Sequence, residues 1–141
     1  MDAQTVAEKV RDVMFADDAA SKMLGMQITE VAPGRAVVTM AVRADMLNGF
    51  AICHGGLIAT LADSAFAFAC NARNTLTVAS GFGIDILKSA KLGDLLTATA
   101  EETSLAGRTG LYDIAVRNQN GDLVAMFRGR SYRLGERKVF E

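Results

Sequence analysis

Asp63 lies within the apolar run LIATLADSAFAFAC, eight residues after Gly55 of the triplet His54-Gly55-Gly56. Ionised side chains are seldom buried without a partner, because desolvation costs several kcal/mol or moves the pKa until the charge is lost. A carboxylate in such a run is therefore a candidate base or nucleophile. Glycines that open a helix supply the complementary group, bare backbone N–H donors without intrahelical partners at the positive end of the macrodipole. Such a terminus holds an anion, or a carbonyl oxygen that becomes negative during reaction.

The two features cannot serve one carbonyl within one helix. Asp63 follows Gly56 by seven residues, so at about 100° per residue both share a helix stripe, yet at about 1.5 Å per residue they stand roughly 10 Å apart. Reacting atoms must approach to about 3 to 3.5 Å. A second copy of the helix, antiparallel across a two-fold axis, would bring its Asp63 over the first copy's N-terminus and create two identical shared sites.

Each residue also has a plain structural alternative. Gly55 and Gly56 could serve close helix packing. Asp63 could be an acid paired with arginine, histidine or backbone, or one facing solvent at a subunit seam. His54, the only histidine, could be bonded to backbone rather than orient a substrate. Asn48 in Leu47-Asn48-Gly49 is a turn former, and its amide could equally position the acid or an attacking water.

Other chemistries lack parts. No GxSxG elbow exposes a serine, and Ser64 points about 100° away from Asp63 on the helix. One histidine and no clustered cysteines leave no recognisable metal set. GxGxxG and P-loop signatures are absent, so no cofactor is expected.

The 141 residues suit one domain with one real core. Half of them are hydrophobic and 22% charged, which excludes a disordered chain. The net charge of -1 gives no basic stripe for nucleic acid. The start, MDAQTVAEKVRDV, has no uninterrupted apolar segment, and no run approaches a membrane span, so neither secretion nor membrane insertion is expected. Cys53 and Cys70, the two cysteines, show no CxxC or zinc spacing. Free thiols in the cytoplasm are the expected state.

Spacing predicts the elements that must carry the site. Val6, Val10, Val13 and Met14 recur at helical intervals, giving a helix over 4–16, and a short turn ends at Gly25. Residues 27–31 and 35–42 flank Pro33-Gly34 as a hairpin. From Gly55 to about Ala72 the chain is rich in Ala, Leu and Phe, which suits a helix wrapped by other structure. The period then becomes two: Val78, Ser80, Phe82, Ile84 and Ile86 alternate with small or polar residues. Further strands begin at Leu96, around Tyr112 to Val116, and from Leu123 to Leu134. Tight-turn chemistry joins them, giving an α+β domain with six antiparallel strands. Its sheet edges would stay unsatisfied in a monomer, so oligomerisation is expected.

The stretch LNGFAICHGGLIATLADSAFAFACN resembles the PaaI-type hotdog-fold acyl-CoA thioesterases of the phenylacetate-degradation branch. The resemblance extends through GM-x-I, VVTM-x-V, VAS-x-x-x-ID-x-L, GD-x-LTATA, TGLYDI-x-V-x-NQ and FRGRS. It implies one long helix wrapped by a six-stranded antiparallel sheet. It also implies that Asp63, donated by a neighbouring subunit, activates water or attacks the thioester, that the Gly55 N–H polarises the carbonyl, and that Asn48 and His54 support that carbonyl. Gly56 and Ser80 fall at substrate-contacting positions. The implied assembly is a homotetramer, a dimer of dimers.

Coenzyme A carries phosphates, so cations are expected at a groove mouth. Lys88, Lys91 and Arg108 are candidates, each otherwise a solvated face. Where relatives carry Arg-Pro or Ser-Pro before the Gly-Asp turn, this chain has Lys88-Ser89-Ala90-Lys91, a departure that concerns the nucleotide contacts. Leu47, Phe50, Phe66 and Phe82 could line an acyl pocket or simply fill a core. The expected reaction is hydrolysis of an aryl or hydroxyaryl acetyl-CoA to free acid and coenzyme A. Two rivals stand beside it: an enoyl-CoA hydratase-like enzyme on the same fold, and a non-catalytic acyl-CoA sensor.

Overall fold

A computed structural model describes residues 1–141. Helix α1 spans Ala3–Ala16, opened by Asp2, whose carboxylate accepts from the Thr5 N–H at 2.8 Å. Its covered stripe is Ala7, Val10 and Met14, while Val13 faces outward at 37% exposure. Helix α2, Ala19–Met23, is capped by Asp18 and ends before Gly25, whose φ of 70° is the left-handed conformation that glycine adopts freely. Strands β1 (Gln27–Ala32) and β2 (Arg35–Ala41) form the expected hairpin around Pro33-Gly34.

Helix α3 runs from Gly55 to Asn71, and strands β3 (Thr77–Ile86), β4 (Leu95–Ala106), β5 (Thr109–Arg117) and β6 (Leu123–Arg133) follow. All pairings are antiparallel, in the order β1-β2-β4-β5-β6-β3. The sheet curves around α3, which touches all six strands. This is the hotdog arrangement.

The wrapping depends on side-chain volume. Phe66 packs its ring 5.5 Å from Tyr112 and 6.0 Å from Phe127, and Gly129 lets it approach the sheet, since a Cβ there would lie 2.7 Å from the ring. Ala62, Ala65 and Ala69 keep the rest of the buried helix face close to the strands. None of the helices is long and apolar enough to cross a membrane.

The alternation expected along β3 is broken. A bulge lies between Ala79, opposite Ser131, and Gly81, opposite Arg130. One extra residue shifts the side-chain phase, so Ala79, not Val78 or Ser80, is in phase with Phe82, Ile84 and Ile86 towards α3. The β3 edge has no neighbouring strand, and Val78, Phe82 and Ile86 along it are 43%, 47% and 47% exposed.

Adding a methyl group at Gly129 should drive it into the Phe66 ring. Gly129→Ala is expected to lower the urea midpoint by an amount equivalent to about 1–3 kcal/mol at unchanged m-value. Gly83→Ala, where an added Cβ meets nothing within 4 Å, should leave the midpoint nearly unmoved.

Candidate active site

The loop before α3 is fastened at several points. Leu47 bridges to Cys53, the Asn48 N–H donates to the Ile52 carbonyl at 2.8 Å, and the Cys53 N–H donates to Ala90 at 2.7 Å. The Asn48 side-chain oxygen accepts from Phe50 N–H at 2.9 Å and Ile52 N–H at 3.4 Å. Asn48 is thus a turn former, and with its oxygen committed, its amide NH₂ is a donor without a partner in the chain.

His54 occupies the cap position of α3 in extended geometry, its N–H donating to Met46 at 2.8 Å, but its exposed ring makes no capping hydrogen bond. A serine or aspartate there would occupy the first helical donors. Here the His54 carbonyl takes Leu57 and Ile58, and the N–H groups of Gly55 and Gly56 have no acceptor within the chain. The two glycines differ in their reasons. At Gly55 a Cβ would meet the Ile86 Cδ1 methyl at 2.8 Å, so a side chain there would have to displace the end of Ile86 on β3. At Gly56 a Cβ would meet only His54 Nδ1, at 3.8 Å. Nothing in the protomer excludes a side chain at Gly56.

Gly56, Thr60, Asp63 and Ala67 follow one another at helical spacing, and all four escape full burial. They form the stripe of α3 that the sheet leaves uncovered. Asp63 is half-buried there and makes no hydrogen bond or ion pair, so the paired-acid alternative fails within the chain. Burial pushes its pKa up from 3.8, and the negative charge of Asp18 adds to the rise. Asp18 is held by a chain the sequence reading missed: it accepts from the Ser21 hydroxyl at 2.7 Å, which lies 2.8 Å from the Ser64 hydroxyl. The capping sequence Asp18-Ala19-Ala20-Ser21 was its only signal.

A cavity of about 330 Å³ opens beside Asp63, lined by Met14, Phe66, Ala67, Asn71, Val78 and Ala79 among others. Of the candidate acyl-pocket residues, Phe66 reaches it. Phe82 instead stacks on Phe127 at 4.7 Å, Leu47 packs against the core, and Phe50 is 87% exposed. Ser80, displaced by the bulge, donates to the Arg130 carbonyl at 3.1 Å and lines a separate surface groove with Ser104 and Thr109. Lys91 and Arg108 flank β4 at opposite ends, roughly 35 Å apart in one protomer. Neither makes an ion pair, whereas Lys88 is tied to Asp122 at 2.6 Å.

One protomer therefore presents an unpartnered acid, two unpartnered N–H donors about 10–12 Å away at the start of the same helix, and an apolar cavity. The sequence profile of the thioesterase superfamily matches residues 50–125, from the end of this loop through α3 and into β6. The chain belongs to the thioesterase superfamily. It is 49% identical to the acyl-coenzyme A thioesterase PaaI of Escherichia coli K12, over 86% of this chain and 87% of that one. The structure of E. coli PaaI superimposes with a TM-score of 0.94 at 45% identity, covering 96% of this chain and 99% of that one. A variant of PaaI from Thermus thermophilus gives 0.80 at 40% identity, covering 83% and 100% of the two chains. A hypothetical thioesterase protein of Streptococcus pneumoniae with coenzyme A gives 0.82 at 27% identity, covering 92% and 99%. In a thioesterase, the pairing of an acid with helix-terminal donors matches a reaction in which water attacks a carbonyl that becomes an oxyanion.

The raised pKa of Asp63 links to stability with a definite sign. Its contribution is fully present below the unfolded-state value and is lost as pH rises through the folded-state value, because the fold then holds a costly charge. Asp63→Asn should raise the melting temperature at pH above neutrality, and the gain should vanish as the pH falls towards 3.8. Thermal melts across this range check both halves.

Proposed function

We propose that this thioesterase hydrolyses acyl-CoA thioesters of arylacetic or hydroxyarylacetic acids to free acid and coenzyme A, at sites shared between two copies of the chain. The observation that carries this reading is the uncovered stripe of α3, with Gly56 at one end, Asp63 in the middle and small residues between. Two such stripes packed antiparallel bring the acid of one copy over the free N–H groups of the other. The β3 edge, with Val78, Phe82 and Ile86 exposed, supplies the adjoining apolar seam. The kinship with E. coli PaaI and the coenzyme A held by the S. pneumoniae relative support the substrate class. The family resemblance of the sequence motifs implies a tetramer built from two such dimers.

In this mechanism the thioester carbonyl oxygen accepts from the Gly55 N–H, with the Gly56 N–H beside it at the dipole's positive end. Asp63 of the partner subunit removes a proton from water, whose oxygen adds to the carbonyl carbon, and the N–H donors hold the resulting oxyanion. Collapse of the tetrahedral intermediate breaks the C–S bond, and the proton passes to the departing thiolate. Direct attack by the carboxylate, followed by hydrolysis of the anhydride, uses the same groups. The Asn48 NH₂ and the His54 ring flank the carbonyl, Asn48 as a donor to the acid or water. The cavity below Asp63, with Phe66 in its wall, receives the acyl group.

Asp63→Asn should reduce kcat about 10²–10⁴-fold, measured as thiol release at protein concentrations where the oligomer is still assembled. Near wild-type turnover would sink the assignment. Gly56→Val should block approach to the N–H donors and be comparably inactive. Mixing the two inactive variants at equal concentration should restore about a quarter of wild-type activity, because half of the randomly paired dimers carry one intact site of two. A site confined to one chain would recover nothing. A panel of arylacetyl, benzoyl and straight-chain thioesters compared by kcat/KM tests the acyl group; enoyl thioester formation, or tight binding with intact recovery, would favour the hydratase or the sensor.

Asp18 adds a pH prediction. Only ionised Asp63 can take a proton, so kcat/KM falls as acidity passes its raised pKa. Asp18→Asn keeps an oxygen for the Ser21 N–H cap but removes the charge, and should move the acidic limb to lower pH. An unmoved limb in a stably folded variant would remove Asp18 from the account.

A further inference from the structure

We propose that a second cavity, between the end of α3 and the β4–β5 turn, binds a phosphate-class oxyanion through Arg108, Arg133 and Ser131. The cavity holds about 130 Å³ and is lined by these three residues together with Cys70, Arg73 and Tyr112 among others. That is ample room for an anion of phosphate size.

Two buried polar atoms face no partner in the chain: the Ser131 hydroxyl, in a residue only 2% exposed, and Arg133 Nε. Both residues line this one cavity. A buried donor left without an acceptor is unfavourable, so two at one place call for a group that accepts from both. Gly110 supports the same reading. Its φ lies in no glycine-only region, but a Cβ there would sit 2.6 Å from the Ser131 hydroxyl oxygen. Glycine at this position leaves room for a hydroxyl that pairs with nothing in the protein.

The charges favour an anion. Arg73 is neutralised by Glu102, with N–O distances of 2.7 and 3.1 Å, and the Tyr112 hydroxyl donates to the same carboxylate at 3.0 Å. Arg108 and Arg133 make no ion pair, and the backbone holds them together, the Arg133 N–H donating to the Arg108 carbonyl at 2.8 Å. Two guanidinium groups are thereby left for one ligand, in the fork geometry that suits phosphate. The Cys70 thiol, pushed up to about 12 by burial, remains neutral and does not compete. Cations near a helix C-terminus also offset its dipole, which accounts for Arg73 but not for the orphaned hydroxyl.

Two sources carry this chemistry: free inorganic phosphate and a phosphate of coenzyme A. Binding of the first stands apart from the thioesterase reading, while the second rests on it. In the experiment, inorganic phosphate is titrated into wild-type protein, Ser131→Ala, Arg133→Met and the inactive Asp63→Asn, with melting temperature and heat of binding recorded. Coenzyme A and 3′-dephospho-coenzyme A are then compared in the same proteins. The site predicts a saturable phosphate response in wild type and in Asp63→Asn that weakens about tenfold or more in Ser131→Ala and Arg133→Met. Loss of hydrolysis in Asp63→Asn with retained phosphate binding separates the two sites. If coenzyme A is the source, removing its 3′-phosphate weakens binding in wild type but not in Ser131→Ala; equal binding of both forms, with the phosphate response intact, assigns the site to free phosphate. The proposal is overturned if phosphate gives no saturable response and both forms of coenzyme A bind alike in every variant, the result for a cavity holding water alone. It is equally overturned if Arg133→Met lowers the melting temperature by the same amount with and without phosphate, the result for a dipole-compensating cation.

Discussion

The burial of α3 inside a single curved sheet is the constraint on which the rest of the structure depends. Phe66 reaches over Gly129 to Tyr112 and Phe127, and Ala62, Ala65 and Ala69 bring the helix backbone close to the strands. A sheet wrapped from one side covers only one side. The stripe through Gly56, Thr60, Asp63 and Ala67 is left over, and it carries the only acid of the helix. The same one-sided wrapping fixes where the helix begins. Gly55 lies against Ile86 of β3, so the first donors of α3 open beside the unpaired edge of the sheet with no capping side chain over them.

Much of this was legible in the sequence because it follows from periodicity and turn chemistry. The bounds of α3 and the β1–β2 hairpin fell within a residue or two of expectation, since Gly, Pro and the change of period from 3.6 to 2 mark them directly. The separation of Asp63 from Gly55 needed only the helical rise. What stayed hidden depended on insertions and on tertiary approach. The bulge in β3 costs one residue in register and leaves no sign in the pattern Val78, Ser80, Phe82, so Ser80 shared a face with Phe82 on paper but not in the sheet. Val13 looked as apolar as Val10, yet the face of α1 that packs on β1 and α3 is the one carrying Ala7 and Val10, and Val13 lies outside it. No spacing rule brings Arg108 beside Arg133; only the closing of β6 back along β5 does so.

Asp63 and Asp18 pull the design in opposite directions. Burial and a neighbouring negative charge both make the ionised acid expensive in the protomer, and nothing in the chain compensates. The Asp18–Ser21–Ser64 chain holds that repulsion in place, since the buried Ser21 is fixed from both sides. A structural acid would be arranged in the reverse way, with a donor or a cation close by. An acid kept basic suits proton abstraction, because a base whose pKa lies nearer the working pH takes a proton more readily.

Assembly and ionisation then become one problem. If a second α3 crosses the uncovered stripe, its N–H donors and the positive end of its dipole lie over Asp63, and they offset part of the cost that burial and Asp18 impose. Each copy gives the other what it lacks: a charge for the helix terminus and donors for the acid. The free energy that would favour ionisation of Asp63 is thereby also free energy of association, so the acid should be most readily charged where a carbonyl can be held beside it, and least readily in a protomer on its own. An unpartnered carboxylate and an uncapped helix, each unfavourable alone, would complement one another across such a two-fold axis.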